Sequence, residues 1–391
     1  MEDLDKYLTF ALNVARIVAP FAGPVLGISV AAPVLSKLGV RVGPGRALVL
    51  GFKSYFQRST NPNSVRTSLV SEIRHKMSVA DTDNFVVVYG PKGVGKTVAV
   101  ATAFRGQMGV VHANISAGDS AREIIRMALG AVANVPTTFT SLDHSGPRVI
   151  FWYQLMFRHY PLVILNIKER SPNDPHAKIA EAARTLSYDY QLRVLVDGSN
   201  NTLPDELFAT MRGRFVDVDE MDQETVESIP EFEIFITSLR EADLANVVYH
   251  IIGGVPAHYK SLRDVIAGRS GEKLSEAVNL FLERLQSTAI KLRLLALHSH
   301  PAMSQLYDLF KTAKAVSDTR ADVNQVTRPS PDKTLRAIYI GSEPFLIPST
   351  RAMAYILRND CAKAHSVAQI REILKCQTDD SNINEQQLTL P

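Results

Sequence analysis

FVVVYGPKGVGKT, residues Phe85 to Thr97, decides how the rest of the chain is read. Phe85-Val86-Val87-Val88-Tyr89 is a short apolar, β-branched run, the signature of a strand buried on both faces of a parallel sheet. Gly90, Pro91, Lys92, Gly93, Val94, Gly95, Lys96 and Thr97 then fit the G-x-x-x-x-G-K-[ST] pattern of a P-loop, and Val98 onward continues as a helix. The residue types follow from phosphate chemistry. Backbone N–H groups must curl inward around the anion, which needs glycine wherever a side chain would collide with it. Lys96 is placed to reach the β- and γ-phosphates, Thr97 to hold Mg²⁺, and the helix N-terminus adds partial positive charge. A nucleoside triphosphate with Mg²⁺ is therefore the expected ligand.

Working outward, the next apolar runs are Gly109–Ile115, Pro161–Asn166, Leu192–Asp197 and Phe215–Val218, each expected as a strand. A turn and then a helix are expected over Tyr55–Met77, with Asn61-Pro62-Asn63-Ser64 supplying the cap, and helices over Ala121–Leu129 with Asp119 as cap, over Val149–Tyr160 after a polar loop Ser141–Pro147, and over Ala177–Leu186. Two strand ends bear on catalysis. Pro161–Leu165 runs into Asn166, taken here as the end of the strand beside the P-loop, where a carboxylate usually orients Mg²⁺. Asparagine keeps the hydrogen bonding but lacks the charge, so hydrolysis is expected to be slow, with Glu169 the nearest carboxylate. Asp197 is the alternative metal-side carboxylate if the strand order is different. Arg214, just before the last strand, is a candidate to reach a phosphate in a neighbouring subunit or its own; the alternative is an exposed basic turn.

These segments resemble, in order and spacing, the AAA+ and STAND P-loop ATPases. GPKGVGKT, PLVILNIKE, VLVDGSNN and MRGRFVDVDEMDQETV are similar to that group's P-loop, metal-side strand, phosphate-sensing strand and arginine box. Gly253-Gly254-Val255-Pro256 resembles the GxP motif of STAND and archaeal-type ATPases, which implies that Pro256 lies near the adenine. The likeness covers about Tyr55 to Leu262, and more loosely extends to Crinkler-type NTPases. It implies an α/β fold: a P-loop NTPase parallel sheet flanked by helices, with a helical lid and a C-terminal winged-helix-like module. Divided accordingly, the chain has an apolar N-terminal segment (1–50), a nucleotide-binding domain (51–220), a helical lid (221–300), a winged-helix-like module (301–376) and a polar tail (377–391). The implied role is a nucleotide-dependent switch, with a non-hydrolysing ATP-binding adaptor or a DNA-binding ATPase as alternatives. ATP or ADP and a protein partner or self-association are the implied partners.

Composition narrows the class. At 391 residues with 46% apolar content the chain can bury a large core, and 21% charged residues exclude a disordered polymer. A net charge of +3 does not point to nucleic acid, and Arg328, Lys333, Arg336 and Arg351 make only a modest basic face in the C-terminal third. Cys361 and Cys376 suit neither a zinc site nor a disulfide framework, which favours an intracellular, reducing compartment. His298 and His300 have no partners to complete a metal set. Ile17 to Ser36 carries no charge and is about long enough to cross a bilayer, yet Pro20, Pro24 and Pro33 interrupt it. A packed or partner-binding helical hairpin, membrane association, and a cleaved signal all remain open for it, although the acidic start (Glu2, Asp3, Asp5) is unlike a signal peptide.

Overall fold

The structure, a computed structural model, describes residues 46–47, 49–51, 67–79, 84–116, 118–138, 142–167, 176–198, 213–299, 303–311, 316–317, 334–340 and 343–384. The expectations for Ile17–Ser36, Glu169, residues 199–201 and residues 385–391 lie outside these. Five parallel strands form the central sheet: β1 (Phe85–Tyr89), β2 (Val110–Ile115), β3 (Leu162–Ile167), β4 (Arg193–Asp197) and β5 (Gly213–Asp217). Their order is β2-β3-β4-β1-β5. Every side chain of β1 is buried, as its uninterrupted apolar run requires.

Alternation along the strands divides the helices between two faces. One face, built from Val86, Val88, Ile164, Leu195 and Val216, carries α1 (Thr67–Val79) and the P-loop helix α2 (Lys96–Ala103). The other, built from Val87, Val111, Val163, Leu165 and Val196, carries α3 (Ala121–Ala133), α4 (Leu142–Phe157) and α5 (His176–Tyr188). Ala47 and Leu50 are buried in this second core.

Beyond β5 the chain turns helical: α6 (Gln223–Glu227), a 3-10 turn (Pro230–Phe232), α7 (Glu233–Glu241), α8 (Ala245–Ile252), α9 (Pro256–Ile266) and α10 (Glu272–Ser299). Then come α11 (Met303–Leu309) and an antiparallel sheet of order β6-β8-β7 from β6 (Val316–Ser317), β7 (Leu335–Ile340) and β8 (Glu343–Pro348). Last are α12 (Arg351–Arg358) and α13 (Val367–Asn384). One hydrophobic core, from Met221 to Ile370, joins the helices after β5 with β7, β8 and the last two helices.

Four sequence expectations change. The strand beside β1 is β4, with Val87 opposite Val196, whereas β3 lies one strand further out. The order of strands depends on long-range pairing that no local run encodes. The cap of α3 is Ser120, in a reciprocal capping box with Glu123, while Asp119 accepts from the Ser116 N–H in the preceding turn. Helix α4 begins at Leu142 and carries Pro147 inside it. Burial of Leu142, Ser145, Gly146 and Val149 outweighs the one hydrogen bond that proline removes; at Gly146 an added Cβ would stand 3.1 Å from Leu129, so α3 and α4 approach closely. Finally, α13 continues to Asn384, into the stretch read from the sequence as a polar tail. Val367 and Ile370 are buried and Arg371 donates to the Ala242 and Asp243 carbonyls, which fixes its first turns, and extending a helix once nucleated costs little.

Candidate nucleotide site

The loop after β1 is shaped by its glycines. Gly90, Gly93 and Gly95 all adopt positive φ (138°, 90° and 95°), a region that costs a side-chain-bearing residue but not glycine. At Gly90 the reason is also steric: a Cβ would stand 2.2 Å from the Val218 carbonyl. Around Gly95, by contrast, no heavy atom lies within 4 Å of that position, so the mouth of the loop is open. Lys96 is 5% exposed, and its ammonium donates to the carbonyls of Gly90 (2.8 Å) and Pro91 (2.7 Å). The loop thus holds a buried cation against two of its own carbonyls, where an entering anion would add charge-assisted hydrogen bonds. Pro91 and Val94 are buried, Lys92 and Thr97 are exposed, and Val98 is half-buried.

Three polar residues form one row at the carboxyl ends of the strands, on the face that carries α2. Asn114 pairs with Asn166 across β2 and β3, and Asn166 with Asp197 across β3 and β4. Only the last touches the P-loop: the Thr97 hydroxyl donates to Asp197 Oδ2 at 2.8 Å. Asp197 is 3% exposed, and burial raises its carboxyl above the ordinary range, partly offset by the Thr97 hydrogen bond and the Lys96 charge. Asn166 instead points its amide toward Asn114 at 3.5 Å. A hydroxyl and a carboxylate side by side are hard oxygen donors of the kind Mg²⁺ takes, so Thr97 and Asp197 fit that ion.

Arg214 lies opposite Val86, three residues before the end of β1, so it stands about 10 Å down the sheet from the start of the loop. Helix α9, in contrast, meets the loop directly. Pro256 occupies its first turn, the Ala257 N–H donates to the Gly93 carbonyl at 3.4 Å, and a Cβ on Gly93 would stand 2.6 Å from that of Ala257. Between α9 and the P-loop helix lies an apolar slot of about 180 Å³, lined by Leu69, Val98, Ile229, Phe232, Pro256 and Lys260. Its volume is similar to the ~150 Å³ of a cavity that takes up an aromatic ring.

The parallel sheet, its glycine-rich loop at the end of β1 and the lysine buried beneath that loop decide the architecture. The fold is that of a P-loop NTPase. No known family model matches the chain, and no curated protein matches it in sequence. In structure the chain is similar to Cdc6p from Pyrobaculum aerophilum, at 12% identity and TM-score 0.37, over 83% of this chain and 97% of that one. It is similar to the ORC2 protein of Aeropyrum pernix, solved as ADPNP and ADP complexes, at 14% identity and TM-score 0.37, over 78% and 97%. A third likeness, 15% identical at TM-score 0.37, is to a Signal Transduction ATPase with Numerous Domains that carries a tetratricopeptide repeat sensor, from Pyrococcus horikoshii. There the match spans 79% of this chain but only 44% of the other.

Two contacts were not legible in the sequence. The segment following β5 is pressed between the loop and the lid: the Val218 N–H donates to Tyr89 and the Met221 N–H to Gly254, each near 3 Å. Glu220 in that segment accepts from the backbone N–H of Arg351 at 3.2 Å, at the start of α12. Gly253-Gly254 was the available signal, since both glycines sit where a Cβ would overlap Glu220 or Met221.

Proposed function

We propose that this chain binds ATP with Mg²⁺ at the P-loop and acts as a nucleotide-dependent switch that hydrolyses ATP slowly. The observation that carries the reading is the buried Lys96 beneath a glycine loop of positive φ, next to the Thr97–Asp197 pair. Gly90 to Val98 would cradle the phosphates, Lys96 would offset their charge, and the slot at Pro256 would take the base. Thr97 and Asp197 would hold Mg²⁺, which when bound supplies charge stabilisation for the transferring phosphoryl group. In this assignment Asp197 takes the metal-side role first considered for Asn166, because it is the acid that touches Thr97.

Slow turnover follows from the composition of the polar row. Among its described members Asp197 is the one carboxylate, and Asn114 and Asn166 are amides that cannot accept a proton from an attacking water. The switch reading rests on Gly93 against Ala257, which ties the loop to α9, and on Glu220 against Arg351, which ties the segment after β5 to α12. A ligand that repositions the loop biases both.

Denaturation with and without Mg–ATP tests the proposal. At a ligand concentration one hundred times its dissociation constant, stability should rise by about 2.7 kcal/mol. Lys96→Ala should remove most of that gain. An unchanged transition in the parent protein would overturn the nucleotide-site reading.

A further inference from the structure

A second pocket, of about 330 Å³, opens where the end of β8 and helix α12 meet Pro91 of the P-loop and the segment after β5. That volume lies at the small end of the ~300–1,000 Å³ typical of small-molecule sites. It shares no lining residue with the apolar slot proposed for the base. Its chemistry is also different. Arg351 and Arg358 line it from one face of α12, seven residues and so two turns apart. Among the described residues neither guanidinium makes a hydrogen bond or an ion pair; that of Arg351 lies over the Tyr249 ring at 4.7 Å.

His250 of α8 lines the same pocket. Its ring meets that of Tyr355 at 5.2 Å and 86°, over the turn of α12 that separates the two arginines. The Nε2 atom is buried and has no hydrogen-bond partner among the described residues. Burial, and then the charges of Arg351 and Arg358, hold this imidazole down at about 4, so both guanidiniums act on it and it is neutral at pH 7. The two carboxylates in the lining are engaged elsewhere: Asp219 accepts from the Glu220 N–H, and Glu220 from the Arg351 N–H. Two guanidinium forks and a ring nitrogen thus offer donors from three directions, which suits a tetrahedral oxyanion better than a planar carboxylate.

We propose that this pocket is an anion site of its own, distinct from the nucleotide site, in which Arg351, Arg358 and His250 hold the phosphate group of a small ligand. The volume leaves room for a substituent beyond the phosphate. An occupant would abut Pro91 and Glu220, and so bear on the P-loop from outside the nucleotide site.

Inorganic phosphate, titrated at pH 7 into the full chain carrying Lys96→Ala, tests the proposal with the P-loop lysine removed. The imidazole resonances of His250 report the pocket. The expected result is a saturable shift of those resonances. Adding Arg358→Gln should weaken the apparent affinity about tenfold or more, the scale of losing a hydrogen bond to a charged group. Arg358 is exposed, so this variant should keep the fold, which urea denaturation checks. A His250 signal that ignores phosphate, or responds equally in Arg358→Gln, would overturn the proposal. So would a response seen only with ATP and only while Lys96 is intact, which would assign the arginines to the nucleotide's own terminal phosphate. Failure of the nucleotide reading shows separately, as a parent protein whose stability Mg–ATP does not change.

Discussion

The ends of β3 and β4 are neighbours in the sheet and differ in what their polar residue does. Both strands are apolar runs that stop at a polar side chain on the face of the P-loop helix, Asn166 on β3 and Asp197 on β4. Asp197 is buried, receives the Thr97 hydroxyl and feels the Lys96 charge. Asn166 is half-buried and reaches only another amide, at a separation near the limit of a hydrogen bond. One strand spacing, roughly 4.8 Å, thus separates a residue built into the loop from one at its margin.

The contrast can be broken experimentally. Thr97→Val keeps the shape of the side chain but removes the donor. It should weaken Mg²⁺-dependent nucleotide binding by about 10–100-fold, the usual effect of losing a partner of a metal ligand. It should also leave Asp197 buried without that hydrogen bond, at a cost of about 1–3 kcal/mol in stability. Urea denaturation and nucleotide titration of the same sample read both effects.

A pH series sharpens the comparison next. The folded protein holds the Asp197 proton to higher pH than the unfolded chain does. Between the ordinary carboxylate pKa and the raised one, the folded state therefore binds more protons, so this group's contribution to stability falls as pH rises. Mg²⁺-dependent nucleotide affinity should move the other way, strengthening as the carboxyl ionises. Asp197→Asn should flatten both trends. The buried imidazoles of His112 and His250, each lowered to about 4 by desolvation, add the opposite stability trend, with stability lost as pH falls from 6.5 toward 4. Subtracting the variant from the parent isolates the aspartate.

The smallest effect is expected at the other strand end. Asn166→Ala removes only a long amide contact at a half-exposed position, so the change in stability should stay within about 0.5 kcal/mol. A loss comparable to that of Thr97→Val would erase the distinction between the two strands.

Much of this was legible in the chain. The runs at Phe85–Tyr89 and Leu162–Leu165 are too apolar to be anything but buried strands, and the glycine spacing of the loop dictates its backbone. The order of those strands was not legible, because each reads alike from within and only pairing across the sheet places β4 next to β1. That one missing fact is why Asp197, and not Asn166, ends the strand next to β1 and meets the Thr97 hydroxyl. Pro147 misled for a related reason: a local breaker lost to packing between α3 and α4. Among the described residues no helix is long and apolar enough to cross a membrane, and Ile17–Ser36 lies outside them.

The most direct test of the account is single-turnover ATP cleavage by two variants, Asp197→Asn and Asn166→Asp, measured against Mg²⁺ concentration. Asp197→Asn should abolish the Mg²⁺ dependence and lower the rate by about 10²-fold or more, the scale on which positioned electrostatic groups act. Asn166→Asp should leave the Mg²⁺ dependence as it is in the parent. Normal Mg²⁺ dependence in Asp197→Asn, together with a faster rate in Asn166→Asp, would contradict the account and return the metal-side role to β3.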